Sequence, residues 1–166
     1  MQIVKMVDVY IGLGSNLENP AEKIRQARSF ITKHPQMTEI NFSSLYSSPP
    51  MGPKDQPDYV NAVMSIQTEL AATELLVVLQ GIENDFGRDR AVVRWGARTL
   101  DLDILIYGDQ KIDLPDLKVP HIGLAERAFV LYPLQEIAAE NLSVPGKGRI
   151  NTLVSQCPLD GLEKID

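Results

Sequence analysis

Apolar and polar positions along the chain follow two periods, and the changes between them divide it into elements. Residues 7–13, VDVYIGL, read as a strand. NPAEKIRQARSFITKH follows, with Asn19 at the N-cap, Pro20 at the first helical position and a stripe of Ile24, Ala27, Arg28 and Ile31. Pro35 ends that helix. Residues 38–48, TEINFSSLYSS, predict one strand with Ile40, Phe42, Ser44 and Tyr46 on a common face. A loop with four prolines, 49–58, leads into a second alternating stretch, YVNAVMSIQTEL. AATELLVVLQGIENDFG predicts a helix with Thr73 as cap and Gly87 as stop.

The strand that begins at Asp101 is the exception to clean patterning. Asp101 and Asp103 share a parity with Leu105 and Tyr107, whereas Leu100, Leu102, Ile104 and Ile106 form a wholly apolar opposite face. Gly108-Asp109 predicts a hairpin turn into QKIDL. LAERAFVLYPLQEIA predicts a helix broken near Pro133, and INTLVSQC a short last helix. The order strand, helix, strand, strand, helix, strand is the split pattern of an α+β, ferredoxin-like fold, an antiparallel sheet with helices packed on it. The 166 residues predict a single domain, 1–166.

Composition narrows the class without changing the fold. At 44% hydrophobic and 23% charged, the chain is ordinary for a globular protein. A lone cysteine, Cys157, excludes an internal disulfide and fits a reducing cytoplasm. No window is apolar enough for a membrane span, and Lys5 and Asp8 interrupt any signal-like run. A net charge of −6 argues against nucleic acid as a partner. The local charge is different: Arg88, Arg90, Arg94 and Arg98 fall close together, opposed only by Asp89. Such a cluster in an acidic chain suggests a small, highly charged anion as ligand.

Two carboxylates on one strand face repel unless a cation separates them. Arg98 serves as that cation in a purely structural reading. In the chemical reading the pair holds Mg²⁺, which takes carboxylate and phosphate oxygens, and the arginines grip the phosphates. GLGSN, 12–16, is a poor phosphate loop: it lacks the Gly-Lys-Ser/Thr ending and a third glycine at Leu17, so Gly12 and Gly14 read as a tight strand exit. Asn61 offers an amide that donates and accepts at once, which suits a heterocycle edge. Asn61 also reads as the cap of a turn, Tyr59 and Phe129 as core or as further site candidates, His34 as structural, and His121 as a loop residue open to function.

RWGARTLDLDIL, 94–105, closely resembles the signature of the 6-hydroxymethyl-7,8-dihydropterin pyrophosphokinase family. GSN at 14–16, SSPPMGPKDQPDYVNAV at 47–63, IENDFGR at 82–88 and VPHIGLAERAFVLYPLQEIA at 119–138 resemble its other blocks, in order. The resemblance implies transfer of pyrophosphate from ATP to 6-hydroxymethyl-7,8-dihydropterin in folate biosynthesis, with attack of the hydroxyl oxygen on the β-phosphorus and release of AMP. It implies Asp101 and Asp103 as ligands of two Mg²⁺ ions, and Arg88 and Arg98 as catalytic arginines on the phosphates. Tyr59 and Phe129 match the rings that sandwich the pterin and Asn61 the amide that reads its edge, with Ser48, Pro49 and Met51 as the pocket wall. Gln80, Glu83, Ile104, His121 and Arg127 match ATP contacts, and Arg90 and Trp95 a loop that closes over the nucleotide. Ala97 and Ile122 depart from the family, which often has proline at the first position and proline or an aromatic residue at the second. The expected state is a cytoplasmic monomer. The competing readings are a non-catalytic ligand-binding module of the same fold and a phosphohydrolase with an Asp-x-Asp nucleophile.

Overall fold

The structure is a computed structural model, which describes residues 5–16, 18–49, 57–86 and 100–166. Strand β1 (Val7–Ser15) leads to helix α1 (Pro20–Lys33), then β2 (Met37–Phe42), β3 (Tyr46–Ser48), β4 (Tyr59–Thr68), helix α2 (Ala72–Asp85) and β5 (Asp101–Tyr107). The main sheet runs β10-β3-β4-β1-β5, with β2 also paired to β4 and every pairing antiparallel. Its four principal positions have the ferredoxin-like order that the sequence predicts. Beyond β5 come a small ribbon of β6 (Ile112–Leu114) and β7 (Leu117–Val119), then α3 (Ala128–Ile137). A second ribbon of β8 (Ser143–Val144) and β9 (Gly148–Arg149), α4 (Ile150–Ser155) and β10 (Glu163–Lys164) complete the chain.

Helices cover both faces of the sheet. Ile24, Ala27 and Ile31 of α1 and Leu75, Leu79 and Ile82 of α2 pack with Val9, Ile11, Leu102 and Ile104 on one face. Leu131 and Leu134 of α3 and Ile150 and Val154 of α4 pack with Val63, Leu105 and Ile106 on the other. β4 is consequently buried at nearly every position, on both of its faces.

Several local expectations are corrected. The strand expected over 38–48 is two strands, both on the same edge of β4. Side-chain hydroxyls take over ladder bonds at the break: the Val63 N–H donates to Ser43 Oγ at 2.9 Å and the Asn41 N–H to Ser65 Oγ at 3.1 Å. The register also shifts between Glu39 and Asn41, and Ile40 is left 48% exposed instead of entering the core. In β5 the expected parity holds only as far as Leu105. Tyr10 pairs with Ile106 and Ile11 with Ile104, so Leu105 is an extra residue in a bulge. Ile106 therefore joins Leu105 beneath α3, and Tyr107 turns to the opposite core, where its hydroxyl donates to the Leu70 carbonyl.

The third helix does not break at Pro133, which lies inside α3; the break is a short 3-10 turn, Leu124–Glu126, followed by extended Arg127. Pro133 has no N–H to give the Phe129 carbonyl, but burial of Val130, Leu131 and Leu134 holds the helix through it. Helix α2 is capped at Ala71, not Thr73, with the Ala71 N–H donating to Glu74 Oε1 at 3.0 Å. Asn19 stands at the N-cap of α1 but in the left-handed region, without a side-chain capping bond. Gly108 does form a turn, with φ +56°, but β6 pairs with β7 rather than folding back on β5.

Candidate active site

The ends of β1 and β3 and the starts of β4 and β5 lie together at one end of the sheet, a consequence of the antiparallel register. Asn61 of β4, Gly14 of β1 and Asp101 of β5 stand in one cross-strand row, and Val63, Gly12 and Asp103 in the next. Strand spacing of about 4.8 Å sets Asn61 and Asp101 roughly 10 Å apart, with only glycine between them. Gly12 and Gly14 are thus inside β1, not at its exit. A Cβ on Gly14 would lie 3.2 Å from Asn61 Oδ1, and one on Gly12 3.3 Å from Leu105 Cδ2. The two glycines keep a floor without side chains between the amide and the carboxylates.

Asn61 is buried, 5% exposed, and its Nδ2 donates to Ser48 Oγ at 2.7 Å. That bond fixes the amide plane and leaves Oδ1 on the glycine side. Directly opposite Asn61 in the β3–β4 register stands Tyr46, whose hydroxyl donates to Glu136 Oε1 at 2.5 Å. Burial first and then this bond push the Tyr46 phenol far above its ordinary value. Glu136 also accepts the Ser44 N–H at 2.9 Å and the Ser44 hydroxyl at 3.0 Å, so α3 clamps the break between β2 and β3. Tyr59, half-buried, opens β4 opposite Ser48. Pro49 follows β3, and Phe129, also half-buried, sits at the start of α3.

The carboxylates lie on the other side of the glycine floor. Asp103 has a side chain 51% exposed, with its Oδ2 4.0 Å from Nε2 of His121. The Gly123 N–H donates to His121 Nδ1 at 3.1 Å, so the neutral ring carries its proton on Nε2, toward Asp103. The carboxylate of Glu83, on the last turns of α2, is buried and accepts the Leu102 N–H at 2.8 Å. Gln80, one turn earlier, is exposed. Ile104 packs in the core under α1 and α2, so only its backbone faces outward from β5. Arg127 lies with its guanidinium 5.7 Å from the Phe129 ring centre. Its path crosses Gly123, where a Cβ would come within 2.5 Å of Arg127 Nε. Met51, Arg88, Arg90, Trp95 and Arg98 lie outside the described residues.

The donor set fits magnesium. Asp101 and Asp103 present hard oxygens on one face, each paired with a glycine of β1 that places no side chain beside it. Among the described residues no group of three or more His, Cys, Asp or Glu side chains is placed to hold a metal ion. Two carboxylates, with water and phosphate oxygens filling the other positions, is the ligation that Mg²⁺ favours.

Sequence reasoning missed one wall. A cavity of about 210 Å³ is lined by Ser48 and Pro49 after β3, by Glu126, Arg127, Ala128 and Phe129 at the start of α3, and by Leu159, Asp160 and Leu162. The signal was present in Leu-Asp-Gly-Leu, 159–162, because Asp-Gly between apolar residues marks a tight turn.

Residues 10–139 match the model of the 7,8-dihydro-6-hydroxymethylpterin-pyrophosphokinase family. The chain is 47% identical over 157 residues to a 2-amino-4-hydroxy-6-hydroxymethyldihydropteridine pyrophosphokinase of Pseudomonas aeruginosa, covering 95% of this chain and 96% of the relative. A protein of the same name from Haemophilus influenzae is 48% identical over 151 residues, covering 91% and 93%. Among solved structures, the Plasmodium falciparum HPPK-DHPS protein with pteroate superposes with a TM-score of 0.73 at 15% identity, over 94% of this chain and 43% of that one. That likeness concerns the fold alone.

Proposed function

The chain belongs to the 7,8-dihydro-6-hydroxymethylpterin-pyrophosphokinase family and is an ATP-dependent diphosphotransferase that carries pyrophosphate to hydroxymethyldihydropterin in folate biosynthesis; we propose how its residues divide that work. The observation that carries the division is the glycine floor, which joins a heterocycle-reading amide to a pair of carboxylates across three adjacent strands.

The pterin lies between Tyr59 and Phe129, whose stacking on a flat heterocycle is worth about 0.5–1.5 kcal/mol beyond area burial. Asn61 reads its edge, held in plane by Ser48, with Pro49 and Met51 as walls. The hydroxymethyl group then points along Gly14 and Gly12 toward Asp101 and Asp103, which hold two Mg²⁺ ions. Bound magnesium supplies positive charge to the phosphate oxygens. ATP is held by Gln80, Glu83, Ile104, His121 and Arg127, with Arg90 and Trp95 over the nucleotide. The hydroxyl oxygen of the pterin forms a bond to the β-phosphorus as the bond from that phosphorus to the α,β-bridging oxygen breaks. AMP leaves with the bridging oxygen and its electron pair, and the hydroxyl proton passes to water. Arg88 and Arg98 stabilise charge that grows on the transferred group and on AMP, usually the largest catalytic contribution.

The same reading makes residues 1–166 one domain and the protein a cytoplasmic monomer without nucleic-acid or membrane partners. Among the described residues no helix is long and apolar enough to cross a membrane. The deciding experiment incubates the protein with ATP, Mg²⁺ and reduced hydroxymethylpterin. AMP, not ADP, should appear, and only with the pterin present. Release of inorganic phosphate without pterin would favour a phosphohydrolase, and binding without turnover would favour a ligand-binding module.

A further inference from the structure

The geometry points to the strap Leu159–Lys164 as a wall of the pterin pocket that sets affinity for the pterin more than for ATP. This rests on the assignment of the pocket beside Asn61 to the pterin. The strap lies beyond residue 139, where the match to the family model stops.

The strap is tied to the strand that carries Ser48. Glu163 and Lys164 form β10, which pairs with Ser47 and Tyr46 of β3. The Ile165 N–H donates to the Leu45 carbonyl at 2.9 Å and the Leu45 N–H to the Asp166 carbonyl at 3.2 Å. Strand β3 is only three residues long, so these bonds supply one whole edge of its support. What β3 holds is Ser48, the acceptor that orients Asn61.

The strap also meets the wall directly. Asp160 and Gly161 have φ of +50° and +84°, and the Leu162 N–H closes their turn on the Leu159 carbonyl at 3.0 Å. Positive φ at both central residues is the tight hairpin geometry in which glycine is favoured. A Cβ on Gly161 would stand 3.0 Å from Pro49 Cγ, so the turn rests against the residue that ends β3. Leu162 is anchored in the core at 7% exposure, while Leu159, 52% exposed, and Asp160 face the cavity opposite Phe129. An anchored turn with an apolar side chain over a cavity next to an aromatic ring is suited to a flat ligand.

Of the described residues assigned to ATP, Arg127 shares this cavity, whereas Gln80, Glu83, Ile104 and His121 do not line it. Among the described residues the strap's strand pairing is to β3, which carries Ser48. The strap therefore bears on the pterin more than on ATP.

Leu159→Ala and Gly161→Ala separate this from a merely structural role. Leu159 is half in solvent, so its truncation leaves the melting temperature essentially unchanged. Steady-state kinetics should show the KM for the pterin raised about fivefold or more in each variant, with kcat and the KM for ATP within roughly twofold of wild type. Calorimetric titration of the pterin into protein saturated with a non-hydrolysable ATP analogue should show the same weakening. An unchanged pterin KM in folded Leu159→Ala, or equal losses for both substrates, would overturn the inference. Absence of AMP release by the wild-type protein would instead overturn the assignment of the reaction.

Discussion

The Glu83 carboxylate accepts the N–H of Leu102 at 2.8 Å, and Leu102 is the residue between Asp101 and Asp103. A side chain near the end of α2 thus pins the backbone from which both carboxylates project. Glu83 is 7% exposed and Leu102 4%, so the bond is made out of water. Glu83→Ala strands a buried donor, which should lower stability by about 1–3 kcal/mol. It should also lower kcat, because the two carboxylates lose their fixed relation. Glu83→Gln keeps an acceptor oxygen and should recover most of the stability. Urea unfolding of both variants beside AMP release at saturating substrates checks the pair; full activity in Glu83→Ala would remove the positioning role.

Asp103 gives a different signature. Its side chain is half exposed and no core packing depends on it. Asp103→Ala should leave stability within about 0.5 kcal/mol of wild type, the usual range for a surface substitution. AMP release should disappear, and ATP should bind without its response to added Mg²⁺. A calorimetric titration of ATP with and without Mg²⁺ reads this; a full Mg²⁺ response in the variant counts against Asp103 as a ligand.

Gly14 and Gly12 should differ although both are in β1. The group that a Gly14 Cβ meets is the Asn61 amide oxygen, held by the Ser48 bond. What a Gly12 Cβ meets is the end of Leu105, which can shift by a few tenths of an ångström. Gly14→Ala should therefore raise the pterin KM by about tenfold, and Gly12→Ala by much less. Equal effects in the two variants would show that the floor does not act through Asn61.

Glu136 predicts a pH effect on stability. Burial opposes its charge, but bonds from the Tyr46 hydroxyl and from the N–H and hydroxyl of Ser44, with Lys164 nearby, outweigh it and lower its pKa from 4.5. A carboxyl with a lowered native pKa stabilises the fold fully above its unfolded value and loses that contribution as pH falls through the native one. The Tm of wild type should thus fall more steeply below about pH 4.5 than that of Glu136→Gln. Parallel Tm–pH curves would contradict the arrangement.

The Cys157 thiol is buried, which pushes its pKa up, with Asp160 adding to the shift. The thiolate is the reactive form. Alkylation of the native protein near neutral pH should be slow compared with the urea-unfolded chain, and mass spectrometry of timed samples measures the ratio. Equal rates would mean that the segment around Cys157 opens freely.

What the sequence by itself determined was everything carried by short-range pattern. The period of α1 and α2, the apolar runs of β1 and β4 and the order of elements gave the antiparallel, ferredoxin-like sheet, because side-chain direction repeats within a few residues. The carboxylate pair was legible for the same reason, since two residues on one strand share a face wherever the strand lies. Tertiary structure decided what depends on neighbours distant in the chain. Gly12 and Gly14 became a floor only when β4 and β5 took register on either side of β1. The bulge at Leu105 reversed a parity that local alternation could not foresee. Glu83 met Leu102 across an interval filled by the arginine segment, and Leu159 met the pocket only because β10 paired with β3. Strand pairing is fixed by hydrogen bonds and burial between segments that share no local pattern, so the sheet settled which of the legible residues stand together.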